Sequence, residues 1–227
     1  MSRIAGIDVF TVPPRWIFVR VRTDDGRTGW GESIVPRRAG AVVAAIGDMA
    51  RNLDGSDPDR IEDIAQHLRR GAFFRNGPIL GTAAAGIEMA LWDLKAKAHQ
   101  LPVFEFLGGR VRDTIRSYVW IGGDTPTGVV EHARQRIAEG FKAVKMNATP
   151  AMGFLADSAI IDAVVGRMGA LRDAFGMSLD IALDLHGRVH RAAMKPLLRE
   201  LEPFRPMWVE EAVLPENEES LKVLARA

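Results

Sequence analysis

The sequence predicts a chain in two regions: an α+β region over residues 1–113, then the first four βα units of an α/β barrel over residues 114–227. Three observations carry this. Strands come first and helices after them up to residue 113. From residue 116 short apolar runs alternate with helical stretches, the signature of a parallel sheet with crossover helices. The apolar runs end in polar side chains, as barrel strands do where chemistry is placed at their C-terminal ends.

In the first region, residues 3–12 and 16–23 alternate apolar and polar positions, and the turn sequence DDGR precedes TGWGES. This predicts an antiparallel meander. Helical apolar spacing follows over 39–53, 58–70 and 81–99, with Asp57-Pro58 as a helix start. The small residues of GTAAAGIEMALWDLKAKAHQ predict close packing, with Trp92 and Leu94 on the buried face. Leu101-Pro102 and Gly108-Gly109 end the segment.

In the second region the strands are RSYVWIG from residue 116, AVKMN, LDIALDLH and MWVEE. The predicted helices run from Thr125-Pro126 to Glu139-Gly140, then over 155–175, 191–201 and 216–226. Each strand is nearly continuous in apolar residues, as strands covered on both faces are. A doubly wound nucleotide-binding sheet would need a glycine-rich loop after an early strand. GxGxxG and GxxxxGK[ST] are both absent, so the barrel is preferred.

Composition narrows the function classes. Among 227 residues 47% are hydrophobic and 26% charged, the net charge is +1, and no Lys/Arg run exceeds two. Nothing here points to nucleic acid or to an acidic membrane surface. Cysteine is absent, which removes disulfides, thiolate metal sites and a thiol nucleophile. Any metal must then rest on carboxylates and imidazoles, which favours Mg²⁺, with Mn²⁺ as the other candidate. The start MSRIAGIDVFTVPPRW has neither a basic beginning nor a long apolar core, and no apolar run approaches a membrane span, so a cytoplasmic protein is expected.

Side chains two apart on a strand share a face, so Lys145 pairs with Asn147 and Asp184 with His186, while Met146 and Leu185 turn toward the helices. Asp184 and Glu210 lie 210 − 184 = 26 residues apart, one βα unit, which puts two inward acids on neighbouring strands. Their repulsion calls for a cation between them. Each residue also has a plain structural reading: Asp184 as a cap, His186 as a solvated loop residue, Glu210-Glu211 as the acidic start of a helix, Lys145 as a surface lysine. Four separate accidents would be needed where one barrel rim suffices. The expected site is therefore a divalent cation held by Asp184 and Glu210, with His186 beside it.

Seven stretches then carry a resemblance: PPRW at 13–16, GWGES at 29–33, NGPIL at 76–80, ALWDLKAK at 90–97, VKMN at 144–147, DLHGR at 184–188 and ELEPFRPMWVEE at 200–211. With these the chain resembles the mandelate racemase-like branch of the enolase superfamily, and within it the D-galactonate dehydratases. The resemblance implies an α+β capping domain followed by a modified TIM barrel. It implies that Asp184 and Glu210 bind Mg²⁺ and that His186 is the general acid. In this superfamily a base removes the proton α to a carboxylate and metal stabilises the ene-diolate. In the galactonate dehydratase pattern the imidazole then assists loss of the β-hydroxyl, and the enol becomes a 2-keto-3-deoxy acid. Racemases of this branch carry a second lysine where this chain has Asn147, so racemase chemistry is disfavoured. Lys145 and Asn147 are expected on the substrate carboxylate or hydroxyls, and Arg15, from the capping domain, near the far end of the sugar acid. A homo-oligomer is implied as well.

Two departures stand out. Ala212 replaces the usual proline after Glu-Glu. The four βα units also end before the strands that carry the family's third metal ligand, its base and the supporting acid. Four strands cannot close a barrel, so the expectation is that the 227-residue chain alone is inactive. The alternatives are a related enzyme, such as an epimerase or another sugar-acid dehydratase, and a non-catalytic binding or assembly module.

Overall fold

The computed structural model describes residues 2–149 and 158–225. The chain divides into two compact units, Met1–Asp113 and Thr114–Ala227.

The first unit is a meander, β1 (Ile4–Val12), β2 (Trp16–Thr23) and β3 (Thr28–Glu32), paired antiparallel in that order, with helices after it. Period-two alternation decides its faces. Ile17, Val19 and Val21 are buried, whereas Phe18, Arg20 and Arg22 line the other side. The helices are α1 (Ala39–Ala50), α2 (Ile61–Arg70), α3 (Pro78–Ala98) and α4 (Val103–Phe106). Helix α3 packs on β3 so closely that a β-carbon at Gly29 would meet the Ala90 carbonyl at 2.0 Å, and one at Gly31 the Gly86 carbonyl at 2.0 Å. The small residues of α3 are thus explained by direct contact of its backbone with a strand. Asp93 secures the seam by accepting a hydrogen bond from the Trp30 backbone N–H at 2.8 Å.

Three boundaries differ from expectation. Asp57-Pro58 does not start α2; the Asp57 carboxylate accepts from the Asp59 N–H at 3.0 Å, making a turn that delays the helix to Ile61. Helix α3 begins three residues early because Pro78 fits its first position, where a missing N–H costs nothing. Helix α1 stops at Ala50 instead of 53, followed by turns.

The second unit holds β4 (Val119–Ile121), α5 (Pro126–Ala138), β5 (Ala143–Asn147), α6 (Ser158–Phe175), β6 (Asp180–Asp184), α7 (Arg191–Leu201), β7 (Val209–Glu210) and α8 (Ser220–Leu224). The four strands are parallel and lie in strict chain order, β4-β5-β6-β7. A doubly wound sheet reverses its order at a switch point; this one does not. Its core gathers Ile121, Val144, Met146, Ile181, Leu183 and Leu185 from the strands with Val129, Met168, Leu171, Met194 and Leu197 from the helices. Helix α5 starts as predicted, with Pro126 first and the Thr125 hydroxyl accepting from the Gly128 N–H at 3.1 Å. The expected start of α6 at residue 155 lies outside the described residues. The last helix is shorter than predicted: a 3₁₀ turn at Pro215–Asn217 precedes α8.

Candidate metal and acid–base centre

Parallel registry builds the site. Asn147, Asp184 and Glu210 are direct neighbours across β5, β6 and β7, and Lys145 sits beside Ala182, two residues lower on the same face. Trp120 is the β4 neighbour of Lys145. Side chains therefore stack in layers, a polar one above one that holds Trp120, Lys145 and Ala182.

The two acids do converge, and what lies between them is Lys145. Its Nζ donates to Asp184 Oδ2 at 3.0 Å and to both Glu210 oxygens at 3.0 Å. The Lys145 side chain is 16% exposed and that of Asp184 7%. Burial pulls the Lys145 ammonium toward neutrality, but the hydrogen bonds and charges of Glu210 and Asp184 outweigh it, and its pKa lies above the ordinary lysine value. The three donors of Lys145 are engaged by carboxylate oxygens of Asp184 and Glu210.

The strand placement expected for His186 is corrected. Strand β6 ends at Asp184, and His186 has φ +53°, in the left-handed region. Its place is thus set by a turn and not by strand alternation, because the Asp184 Oδ1 accepts the His186 backbone N–H at 2.9 Å. The turn still returns the ring to the acid: His186 Nδ1 stands 3.5 Å from Asp184 Oδ1. Among the described residues no group of three or more His, Asp or Glu side chains gathers tightly enough to hold a metal by itself. What is present is a pair of hard oxygen donors around one cationic point, with an imidazole at its side. That donor chemistry fits Mg²⁺ and leaves further coordination positions to water or other oxygen ligands.

Asn147 Oδ1 accepts from the Trp120 indole N–H at 3.2 Å, so its amide NH₂ is the end left to donate. Arg15 belongs to the other unit; it is exposed in the β1–β2 turn with its guanidinium 5.4 Å from the centre of the Trp16 ring.

Sequence reasoning missed the aromatic surroundings. Tyr118 lies 5.9 Å from the Lys145 ammonium and edge-on to Trp208, whose indole N–H donates to Glu210 Oε2 at 3.2 Å. The alternation that paired Lys145 with Asn147 also pairs Tyr118 with Trp120 and Trp208 with Glu210, so the signal was there. Arg167 gave none. It sits on α6, fully buried, and donates to the carbonyls of Gly123, Asn147 and Ala148, tying the ends of β4 and β5 to that helix.

Comparison with known proteins agrees with this geometry. Residues 10–108 match the family described as mandelate racemase / muconate lactonizing enzyme, N-terminal domain, and residues 128–227 match the enolase C-terminal domain-like family. D-galactonate dehydratases of Ralstonia pickettii and Pectobacterium atrosepticum are each 45% identical over 223 residues, 98% of this chain and 58% of the relative. Among solved structures, an enolase from Pantoea ananatis with bound D-gluconate and magnesium is 30% identical with a TM-score of 0.91, covering all of this chain and 63% of its own. An enolase superfamily member from Salmonella Typhimurium is 27% identical with a TM-score of 0.93, covering all of this chain and 65% of its own. The chain thus spans about three fifths of the relatives it matches. With both family descriptions found in order along it, and with a parallel strand set that carries acids at its C-terminal ends, the chain belongs to the mandelate racemase / muconate lactonizing enzyme family of the enolase superfamily.

Proposed function

We propose that this chain serves a metal-dependent acid-sugar dehydratase of the D-galactonate type, in which Asp184 and Glu210 hold Mg²⁺ and His186 is the general acid. The observation that carries the proposal is the convergence of Asp184 and Glu210 on one cationic nitrogen, with the His186 ring against Asp184. Mn²⁺ suits the same oxygen donors. The reaction breaks the C–H bond α to the carboxylate and the C–O bond at the β-carbon, releases water, and leaves an enol that tautomerises to a 2-keto-3-deoxy acid. Magnesium, when bound, supplies positive charge to the substrate carboxylate as the α-proton leaves. His186 delivers a proton to the departing hydroxyl, a task suited to imidazole near neutral pH. Asp184 fixes that ring through the backbone N–H of His186. Asn147, turned by Trp120, offers two N–H donors to substrate oxygens and has no basic electron pair with which to take a proton, which speaks against racemisation. Arg15 is proposed, by family likeness alone, as a further substrate contact. A homo-oligomer is proposed by family likeness. Among the described residues no helix is long and apolar enough to cross a membrane.

A chimera tests the proposal: this chain joined to the complementary C-terminal part of the Ralstonia pickettii relative, assayed with D-galactonate, D-gluconate and other sugar acids for 2-keto-3-deoxy products. Turnover that falls about a hundred-fold or more in His186→Asn supports the assignment. Turnover unaffected by that change, or epimerised sugar acid as the product, refutes it.

A further inference from the structure

Lys145 occupies the position that the proposed function gives to a metal ion. Its ammonium lies 3.0 Å from three carboxylate oxygens, which uses all of its donors. Two acids facing each other across neighbouring strands would repel, and the ammonium neutralises half of that charge from within the sheet. A divalent ion seated on the same oxygens would stand a few ångströms from the ammonium, so both cannot hold the pair closely. The lysine has somewhere to go. It projects from the layer below the acids, beside Ala182, whose side chain is only a methyl group. Its nitrogen already lies near the face of Tyr118, which offers a second seat for a cation. A flexible four-carbon stem allows the exchange, as a guanidinium fork would not.

We infer that Lys145 is a resident counter-cation of the Asp184–Glu210 pair, which an arriving divalent ion displaces. This rests on the reading of Asp184 and Glu210 as metal ligands. It makes Lys145 a positioning residue for the two carboxylates. The ammonium holds the carboxylates in ligand geometry before metal arrives, and it weakens metal binding because it must be expelled.

Magnesium alone, titrated calorimetrically, separates the outcomes. Wild-type protein is expected to bind Mg²⁺ and Asp184→Asn to lose it. Lys145→Met is expected to bind about ten-fold more tightly than wild type while melting at a lower temperature without metal. Lys145→Arg, which keeps the charge, is expected to show no such gain. A lysine with a merely structural role would give the opposite sign, since its loss would weaken the site. Equal or weaker Mg²⁺ binding in Lys145→Met, with wild type binding and Asp184→Asn not, overturns the role of Lys145 and leaves the metal site standing. Absence of Mg²⁺ binding in all of them overturns the metal site and this inference with it. A second readout needs no variant: reductive methylation of wild-type amines, mapped by mass spectrometry, is expected to modify Lys145 faster with Mg²⁺ than without. An unchanged or slower rate overturns the displacement.

Discussion

Each sheet of this protein carries one charge shared between two of the opposite sign, and the two arrangements do different things. On the outer face of the meander, Asp8 accepts from Arg20 at 2.9 Å and from Arg22 at 2.7 Å. In the parallel sheet, Lys145 donates to Asp184 and Glu210 at 3.0 Å. The distances hardly differ. The surroundings do: the Asp8 side chain is 30% exposed and Arg22 43%, against 7% for Asp184. Water screens the first cluster, which is worth a fraction of a kcal/mol per pair. In the second, Lys145 and Asp184 are buried while Glu210 is 37% exposed, so it is at the Lys145–Asp184 pair that charge must be matched against charge. The same arithmetic makes a solvated surface cluster in one place and the proposed cation site in the other.

The comparison can be broken most forcefully at Asp184. Asp184→Asn leaves Glu210 alone with Lys145 and is expected to cost on the order of 3 kcal/mol in urea denaturation; a loss below about 1 kcal/mol would place the buried cluster with the solvated one. Next comes Gly29→Ala, a change without charge, whose new β-carbon would meet the Ala90 carbonyl. A cost of about 2 kcal/mol is expected from forcing α3 off β3, and a neutral result in the same denaturation assay would mean that the seam yields. Acid sharpens the contrast further. The Arg22 hydrogen bond, opposed by burial and aided by Arg20, holds Asp8 below the ordinary carboxylate value of 3.8. The Thr23 hydroxyl, again against burial and with help from Ser2 and Arg27, holds Asp25 down at about 2. Groups with lowered pKa values stabilise the fold above the unfolded value and cease to do so as pH falls through the folded one. The melting temperature is thus expected to decline as pH drops below 3.8, with the midpoint of the Asp25 NMR titration at about 2; titration of Asp25 at the ordinary value would remove its share. The smallest effect is reserved for Asp8→Asn, at most about 1 kcal/mol near neutral pH.

Much of the site could be read one strand at a time. Period two put Lys145 with Asn147, and the spacing of Asp184 and Glu210 put them on adjacent strands, where registry now makes them direct neighbours. His186 ended up near Asp184 for a different reason from the one alternation supplied: a left-handed backbone turn, closed by the Asp184 carboxylate, carries it there. Alternation stops at a strand's last residue, and the sequence does not mark where β6 ends. The helix starts at Ile61 and Pro78 escaped for a similar reason, since turns are chosen by a few local hydrogen bonds that compete closely.

The sequence by itself determined the meander, the succession of βα units and the two acids one unit apart, because hydrophobic periodicity is local and survives without neighbours. Only the tertiary structure decided that Lys145 turns to the acids, that Trp120 orients Asn147, and that a buried arginine on α6 clamps the ends of β4 and β5. Those pairings join residues from 19 to 65 positions apart. They arise because desolvated charges and dipoles must find partners in the space the packed sheet leaves them, and that space exists only once the strands are side by side.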